Sequence, residues 1–390
     1  MHPKIINSAL KNLEAPFLYN YVVDERYELD PESFNFLKHC TGKNSFEEVI
    51  KKSKTDQKDA DELVNYLVGE SCLDDNKTVE APLNFEVSDP VSPSLRYLQL
   101  NITEKCNLDC AHCYLGKKEK HDLPLPLIKK SLDEFSPNGL KVLLTGGEPL
   151  MHNQIWEVLE YAKNLPIRKE LFSNGILITK NIAKKLSEYV QAVQISLDGL
   201  ENSHELIRGK GTFKKTLEGI ENASQYLDVN IATMVHPKNL NQFEELSNLV
   251  HELGVAEWNL DIPSLAGNAT IDLIPKANEA AEIFRVYGFG TGVHEGDMEF
   301  SCGSHICTID IHGNVSKCGF FEEGVGNIED EKLTALWKKV VDKYTPPVNV
   351  LSCKDCSVVE TCRGGCRFRA KLEGDFYGKD SFMCSVHLGG

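Results

Sequence analysis

The chain of 390 residues is 41% hydrophobic and 26% charged, the balance of an ordinary globular protein, and its length predicts two or three domains. Its 42 lysines and arginines against 58 acidic residues give a net charge of −16, which argues against a broad nucleic-acid-binding or anionic-membrane surface. No apolar run approaches the ~18–20 residues of a membrane span, and the N-terminus lacks the apolar core of a signal peptide. We therefore expect a cytoplasmic protein.

The first 75 residues predict a small domain. A β-branched and aromatic run over residues 18–23 predicts a short hairpin. Three helices are predicted from the Asp30-Pro31 start, from a capping box that begins at Ser45, and from an apolar face over Asp59–Val68. A hairpin with three helices is the layout of a winged-helix module. Residues 76–94 contain Asp, Asn, Pro and Ser with little periodicity and are predicted to be a linker.

From residue 95 to about 296 the chain alternates apolar strands with amphipathic helices, which predicts an α/β domain with a parallel sheet, open or barrel-like, and chemistry at the carboxyl ends of its strands. The predicted strands are Tyr97–Ile102, Lys141–Leu144, Glu170–Phe172, Ala192–Ser196, Val229–Val235 and Glu257–Ile262. The predicted helices include Asn153–Asn164, Ile182–Tyr189, Phe213–Tyr226 and Gln242–Leu253. Residues 297–390, rich in glycine and cysteine, predict a small domain held together by metal.

The thirteen cysteines are clustered: Cys40 and Cys72 stand alone, three lie at 106–113 and eight at 302–384. In a chain without an export signal this favours metal ligation over disulfides. Cys106-x3-Cys110-x2-Cys113 places three thiolates in the loop after the first barrel strand. Structural zinc sites close with four ligands, whereas a [4Fe–4S] cluster held by three cysteines leaves one iron open. The alternative is a zinc loop completed by His112 or a distant residue.

The three-cysteine motif, followed by Tyr114, resembles that of the radical S-adenosylmethionine (SAM) superfamily, and the resemblance covers roughly residues 95–269. It implies a partial (β/α)6 TIM-like barrel that reductively cleaves SAM to a 5′-deoxyadenosyl radical, which abstracts a substrate hydrogen atom. A flavodoxin- or ferredoxin-type reductant would supply the electron. Further motifs match in chain order: Gly146-Gly147-Glu148-Pro149, Ser173-Asn174-Gly175, Ser196 with Asp198, and Arg208 in Arg208-Gly209-Lys210-Gly211-Thr212-Phe213.

By this resemblance Cys106, Cys110 and Cys113 hold the SAM-binding cluster. Glu148 and the glycines before it contact the methionine amino group, Ser196 and Asp198 hold the ribose, Arg208 pairs with the SAM carboxylate, and Tyr114 lies on the adenine side. The implied SAM contacts are Tyr114, Gly146, Gly147, Glu148, Pro149, Ser173, Asn174, Ser196, Asp198 and Arg208. A general base is not identified, and the sequence does not rank the candidates Glu148, Asp198, Asp261 and Glu299.

The C-terminal cysteines resemble the SPASM extension of radical SAM enzymes, which binds two auxiliary [4Fe–4S] clusters, for three in all. The family pattern implies an inner group of Cys302, Cys307, Cys318 and Cys366 and an outer group of Cys353, Cys356, Cys362 and Cys384. Arg363, Arg367 and Arg369 would offset the clusters' negative charge. One or two zinc ribbons are the alternative. Anaerobic sulfatase maturases carry an aspartate base where this chain has Gly319, which argues against formylglycine formation.

The N-terminal module resembles the PqqD-like RiPP recognition element, which captures the leader of a precursor peptide as an added strand. A capping, dimerisation or DNA-binding domain is the alternative. The sequence thus predicts a peptide maturase that makes a C–C bond, a thioether or a dehydrogenated residue. A second hypothesis is an enzyme of haem or haem d1 biosynthesis or of another small molecule, although the net charge of −16 disfavours a substrate rich in carboxylates. A third is a metal-bound scaffold without catalytic activity.

Overall fold

The structure is a computed structural model that describes residues 2–74, 92–117, 119–288, 299–301 and 303–389. Within these ranges no helix combines the length and apolarity needed to cross a bilayer. Most of the predicted linker, like Cys302, lies outside the described residues.

The N-terminal domain is a three-stranded antiparallel sheet with three helices on one face. Each helix starts where the sequence offers a cap: Asp30, Ser45 and Asp56 all accept a hydrogen bond from the first turn. The predicted hairpin corresponds to β3 and β4, but the sequence did not predict β2, because one of its buried positions, on the side that faces the barrel, is Lys11. The elements are β1 (Lys4–Ile5), β2 (Ser8–Asn12), β3 (Pro16–Asn20), β4 (Glu25–Glu28), α1 (Pro31–Leu37), α2 (Phe46–Ser53), α3 (Gln57–Gly69) and β5 (Leu73–Asp74), which pairs with β1.

The barrel domain contains all six predicted strands, which lie parallel and in chain order across the sheet. The four helices named from the sequence are also present, and the described part of the barrel contains three more, one before them, one among them and one after them. The strands are β6 (Tyr97–Thr103), β7 (Lys141–Gly146), β8 (Arg168–Ser173), β9 (Ala192–Ser196), β10 (Asp228–Met234) and β11 (Glu257–Asp261). The helices are α4 (Leu125–Phe135), α5 (Ile155–Ala162), α6 (Lys180–Leu186), α7 (Glu201–Arg208), α8 (Phe213–Ser224), α9 (Phe243–Glu252) and α10 (Ala277–Tyr287).

The C-terminal region continues the barrel sheet. Its first strand pairs in parallel with β6, and two antiparallel strands follow, so that nine strands form one sheet. The sequence predicted few regular elements here, but one helix is twelve residues long and packs Leu336 and Trp337 into the barrel core. The elements are β12 (Ile306–Ile309), β13 (Asn314–Ser316), β14 (Gly326–Asn327), α11 (Leu333–Tyr344), α12 (Val359–Cys362), α13 (Arg367–Leu372) and α14 (Ser381–Leu388).

The N-terminal domain packs against the end of the barrel at which its strands begin. Leu13, Phe17 and Tyr19 form an apolar cluster with Leu140, the residue before β7. Beside them the buried Lys11 donates to the carbonyl of Ser136 at 2.7 Å, just past the end of α4. The domain is therefore fixed to the face of the barrel opposite the carboxyl ends of the strands.

Candidate active site

A cavity of about 400 Å³ opens where the carboxyl ends of the barrel strands face the C-terminal region. Parallel strands deliver their following loops to this end, which is where α/β barrels place their chemistry. Cys106, Cys110 and Cys113 line the cavity. Seven of the ten predicted SAM contacts also line it, namely Tyr114, Gly146, Gly147, Ser173, Asn174, Ser196 and Arg208, whereas Glu148, Pro149 and Asp198 do not.

The loop that carries the three cysteines is held by its backbone. The N–H of Ala111 donates to Ile207 at 2.8 Å, and the carbonyl of Cys113 accepts from Asn268 at 2.8 Å. Gly267 has φ +59°, and a Cβ there would collide with the carbonyl oxygen of Cys113. Backbone contacts, rather than the thiols, therefore give the loop its shape.

Glu148 follows β7, hydrogen-bonds residues at the end of β8 and does not itself line the cavity. It is 0% exposed, and its carboxylate accepts hydrogen bonds from the Ser173 hydroxyl at 3.0 Å and the Asn174 N–H at 2.9 Å. Burial raises the pKa of Glu148 to about 7, against the pull of these hydrogen bonds and of Arg208. Its observed contacts are those of a positioning residue for the two cavity-lining side chains, while the predicted contact with SAM stays a prediction.

The stability contributed by Glu148 is expected to depend on pH. Because its folded pKa of about 7 exceeds the ordinary 4.5, this contribution is complete below about pH 4.5 and is lost as the pH rises through 7. The Glu148→Gln variant has no titratable group at this position. The difference in free energy of unfolding between this variant and the native chain should therefore shift in favour of the variant by roughly 3 kcal/mol between pH 4.5 and 8. Urea unfolding of the cluster-free protein across this range measures the gain. A difference that does not change with pH would contradict the assignment.

Asp198 and Arg208 form a buried ion pair under the cavity floor. Arg208 Nε donates to Asp198 Oδ2 at 2.6 Å, and the Met234 N–H donates to Oδ1 at 2.9 Å. Burial opposes ionisation of Asp198, but Arg208 together with His112, His204 and the Met234 N–H outweighs it and holds the pKa of Asp198 well below its usual range. Arg208 is thereby fixed at the end of α7 with its side chain on the cavity.

His112 belongs to this network. Its Nε2 lies 3.5 Å from Asp198 Oδ2, and Nδ1 is buried without a hydrogen-bond partner among the described residues. Burial lowers the pKa of His112 to about 4, so the ring is neutral near pH 7. His112 thus lies beside Asp198, the carboxylate that binds Arg208.

Tyr114 occupies the space in which a side chain at position 319 would lie. Its hydroxyl accepts from Gln99 Nε2 at 3.3 Å and donates to Asn101 Oδ1 at 3.4 Å, and its ring packs edge-on against Phe320. A Cβ on Gly319 would stand 2.7 Å from Tyr114 Cε2. The aromatic ring therefore leaves no room for a side chain at position 319. This is a steric reason why this chain has glycine where anaerobic sulfatase maturases carry an aspartate.

Gly319→Ala is expected to lower the free energy of unfolding by about 1–3 kcal/mol, since the methyl group must displace the Tyr114 ring in a packed site. Gly69→Ala is the matched control, because a Cβ there meets nothing within 4 Å and alanine is the better helix former. Chemical denaturation of both variants tests this. Equal stability of Gly319→Ala and the native chain would show that Tyr114 does not fill this space.

The structure separates the four candidate bases. Glu148 and Asp198 are enclosed by their hydrogen bonds, and Glu299 does not line the cavity. Asp261, at the end of β11, lines the cavity with its side chain 32% exposed and lies 3.7 Å from Arg369 Nη1. Asp261 is therefore the candidate best placed to meet a substrate.

The C-terminal cysteines divide by location. Cys318 and Cys366 line the same cavity as the first cysteine group, and Cys307 is buried on β12. None of the outer group lines the cavity. Throughout the described ranges, no three His, Cys, Asp or Glu side chains converge closely enough to hold a single metal ion. The outer group consists of Cys353, Cys356, Cys362 and Cys384, all half-buried.

The charges beside Cys366 fit an anionic iron–sulfur cluster. Arg367 is 2% exposed, and its guanidinium donates to the carbonyls of Phe376 and Gly378, each at 2.8 Å. In the part of the chain that the structure describes, no carboxylate lies within 4 Å of it. A buried cation without a counter-ion is costly. A thiolate-ligated [4Fe–4S] cluster at Cys318 and Cys366, which carries net negative charge, would supply that counter-ion.

Comparison with known proteins gives a consistent set of relatives. A model of the radical SAM superfamily matches residues 100–250. The AdoMet-dependent heme synthase of Oleidesulfovibrio alaskensis is 28% identical over 334 residues, 71% of this chain and 84% of its own. The mycofactocin maturase MftC of Mycolicibacterium smegmatis is 29% identical over 303 residues, 69% of this chain and 77% of its own. MJ0907, an uncharacterized protein of Methanocaldococcus jannaschii, is 30% identical over 206 residues, 50% of this chain and 72% of its own.

Among solved structures, Streptococcus suis SuiB bound to its precursor peptide SuiA superposes with a TM-score of 0.72 at 16% identity. The match covers 98% of this chain and 99% of SuiB, so the N-terminal domain, the barrel and the C-terminal region share one architecture with it. The fold expected from the sequence is confirmed.

Proposed function

This chain belongs to the radical SAM superfamily and is an enzyme related to SPASM-type peptide maturases and AdoMet-dependent heme synthases, and from that premise we propose that it modifies a ribosomally made precursor peptide. The modification would begin with abstraction of a hydrogen atom and end in a C–C bond, a thioether or a dehydrogenated residue. We further propose three [4Fe–4S] clusters, one at Cys106, Cys110 and Cys113 and two in the C-terminal region, and a flavodoxin- or ferredoxin-type reductant.

The observation that carries the proposal is the N-terminal domain. In the described residues its sheet ends at β4, whose Glu25, Arg26 and Glu28 are exposed. An edge strand can accept an extended peptide by backbone hydrogen bonds. This three-domain layout extends over the whole of SuiB.

In this proposal SAM and a substrate side chain meet in the cavity. When bound, SAM and its cluster supply the 5′-deoxyadenosyl radical. Arg208, which Asp198 holds in place, would bind the SAM carboxylate, and Asn174, whose N–H donates to Glu148, would lie in the adjacent wall of the cavity. On the far side, the aromatic rings of Phe320 and Phe368 line the cavity and exclude water from the reacting atoms.

A tetrapyrrole substrate is the second candidate, and one observation favours it. Lys317, Arg367 and Arg369 all line the cavity, so its walls are cationic although the chain carries a net charge of −16. The net charge of the chain therefore does not describe the charge of this cavity. It does not exclude a substrate that carries carboxylates.

The proposal is tested by intact-mass analysis of short peptides encoded beside this gene, each co-expressed anaerobically with the full-length enzyme. We expect one peptide to change mass, for example by loss of two hydrogens. Because removal of residues 1–75 would uncover Leu140 and the carbonyl that Lys11 binds, leader capture is better tested by truncating the peptide. A peptide without its N-terminal half should then remain unmodified.

The control is the enzyme with Cys106, Cys110 and Cys113 replaced by alanine, which should modify nothing. If no candidate peptide changes mass while the native enzyme forms 5′-deoxyadenosine, the peptide proposal is wrong. A tetrapyrrole or another small substrate is then the function to pursue.

A further inference from the structure

The sheet carries one carboxylate to the cavity. Asp261 is the last residue of β11, and its backbone carbonyl accepts the Val235 N–H at 2.7 Å, so the end of the sheet fixes its position. Among the described residues that line the cavity, Asp261 is the only aspartate or glutamate, and its side chain is 32% exposed. A side chain in this place can touch a substrate that enters the cavity.

The two carboxylate oxygens of Asp261 differ in their contacts. Oδ1 accepts the Ile262 N–H at 2.8 Å and lies 3.7 Å from Arg369 Nη1. Oδ2 accepts no hydrogen bond from any part of the chain that the structure describes. The carboxylate is therefore oriented through one oxygen, and the other oxygen keeps its lone pairs for a ligand.

Arg369 is held by the C-terminal region rather than by Asp261. Its Nη2 lies 2.9 Å from Asp380 Oδ2, its Nε donates to the same oxygen at 3.0 Å, and its guanidinium lies over the Phe382 ring. Asp380 Oδ2 also accepts the Cys366 N–H at 2.8 Å. Asp261 thus lies beside the segment that carries Cys366, and the 3.7 Å to Arg369 is too long for a hydrogen bond that would occupy its carboxylate.

The other ionisable groups of the described lining are less suited to accept a proton. The cysteines are the proposed cluster ligands. His112 lies 3.5 Å from Asp198 through one ring nitrogen, and its other ring nitrogen is buried. Arginine and protonated lysine side chains carry donors and no acceptor.

We propose that Asp261 is the catalytic base of the peptide modification. The inference rests on the proposed function, in which a C–C bond, a thioether or a dehydrogenated residue forms with loss of two hydrogens from the peptide. The first leaves as a hydrogen atom that becomes part of 5′-deoxyadenosine. The second leaves as a proton and an electron while the new bond forms. Asp261 takes the proton, and the electron passes to an oxidised [4Fe–4S] cluster of the proposed set.

The test measures how many molecules of 5′-deoxyadenosine form per modified peptide. The reconstituted holoenzyme is incubated with SAM, dithionite, a thiol and the precursor peptide that the native enzyme modifies. Without a base, the substrate radical regains a hydrogen atom from the thiol and the peptide stays unmodified. Asp261→Asn should therefore raise the ratio roughly hundredfold, a typical contribution of general base catalysis. Loss of fold or of SAM binding would lower both products and would not raise their ratio.

Two further variants make the comparison specific. Asp261→Glu keeps the carboxylate, so its ratio should lie much closer to the native one than that of Asp261→Asn. Glu257→Gln is the matched control, because Glu257 begins the same strand but is exposed and away from the cavity, and its ratio should be native. Asp261→Ser serves as the second variant if the asparagine variant does not fold.

A native ratio in Asp261→Asn, in a protein with native iron content, would overturn the inference. An equal rise in Glu257→Gln, or an Asp261→Glu variant with the same ratio as Asp261→Asn, would overturn it as well. These outcomes leave the proposed function intact, because the native enzyme still modifies the peptide. If the native enzyme modifies no candidate peptide, the proposed function fails and the inference fails with it.

Discussion

Replacing Cys106, Cys110 and Cys113 together by alanine is expected to abolish cleavage of SAM to 5′-deoxyadenosine. The three thiols line the cavity, and they are the ligands expected for the cluster that reduces SAM. Enzymes typically accelerate reactions roughly 10⁶-fold or more, so the variant should fall to background in a chromatographic assay of 5′-deoxyadenosine. The fold should persist, because the loop is held by the Ala111 N–H and the Cys113 carbonyl, which alanine retains.

Cys40→Ala is the matched control for this variant. Cys40 is buried in the N-terminal domain among Phe36 and Leu37, so its loss should affect packing and leave SAM cleavage intact. Circular dichroism and iron analysis complete the comparison, with iron lost from the triple variant alone. Native rates of SAM cleavage by the triple variant would eliminate a catalytic role for the motif, whereas a native chain that cleaves no SAM would favour the scaffold hypothesis.

Arg208→Met is expected to destabilise the chain by about 3–5 kcal/mol, because it leaves the fully buried Asp198 without its counter-ion. The remaining Met234 N–H does not balance a full negative charge. Since Arg208 holds the pKa of Asp198 low, the stability it confers is present at neutral pH and is lost as the pH falls below about 4. Urea denaturation at pH 7 and at low pH measures both effects.

The double variant Asp198→Asn/Arg208→Met is the informative control. It removes both charges, so it should be less destabilised than Arg208→Met. The difference between its loss of stability and the sum of the losses of the two single variants measures the interaction energy of the ion pair. Arg285→Met, which removes an exposed arginine from α10, should change stability by less than about 1 kcal/mol. A similarly small effect of Arg208→Met would show that the buried charge of Asp198 does not need this arginine as its counter-ion.

The barrel was predictable because its signals are local. Each of the six strands is an apolar run bounded by a turn, and parallel strands must bring their following motifs to one edge. For that reason Gly146, Ser173, Ser196 and Arg208, separated by more than sixty residues, line a single cavity. Strand β2 was missed because Lys11 faces the barrel, and only the carbonyls at the end of α4 explain a lysine there.

Contacts between distant segments were not predictable. Nothing in the sequence around Gly319 reveals that the ring of Tyr114, two hundred residues earlier, fills the space beside it. Likewise nothing in the sequence reveals that Glu148 accepts hydrogen bonds from Ser173 and Asn174, which line the cavity, and its contact with SAM stays a prediction. Burial of a carboxylate depends on the tertiary packing of strands, which no local pattern encodes.

The most direct test of hydrogen abstraction from a peptide uses a precursor peptide that the enzyme modifies. This peptide is synthesised in fully deuterated form. The enzyme, SAM and a reductant are incubated with this peptide, and 5′-deoxyadenosine is analysed by mass spectrometry. We predict that deuterium from the peptide appears in 5′-deoxyadenosine, and that the triple alanine variant of Cys106, Cys110 and Cys113 forms none of this product. Formation of 5′-deoxyadenosine without deuterium, in the presence of a peptide whose mass changes, would contradict the account.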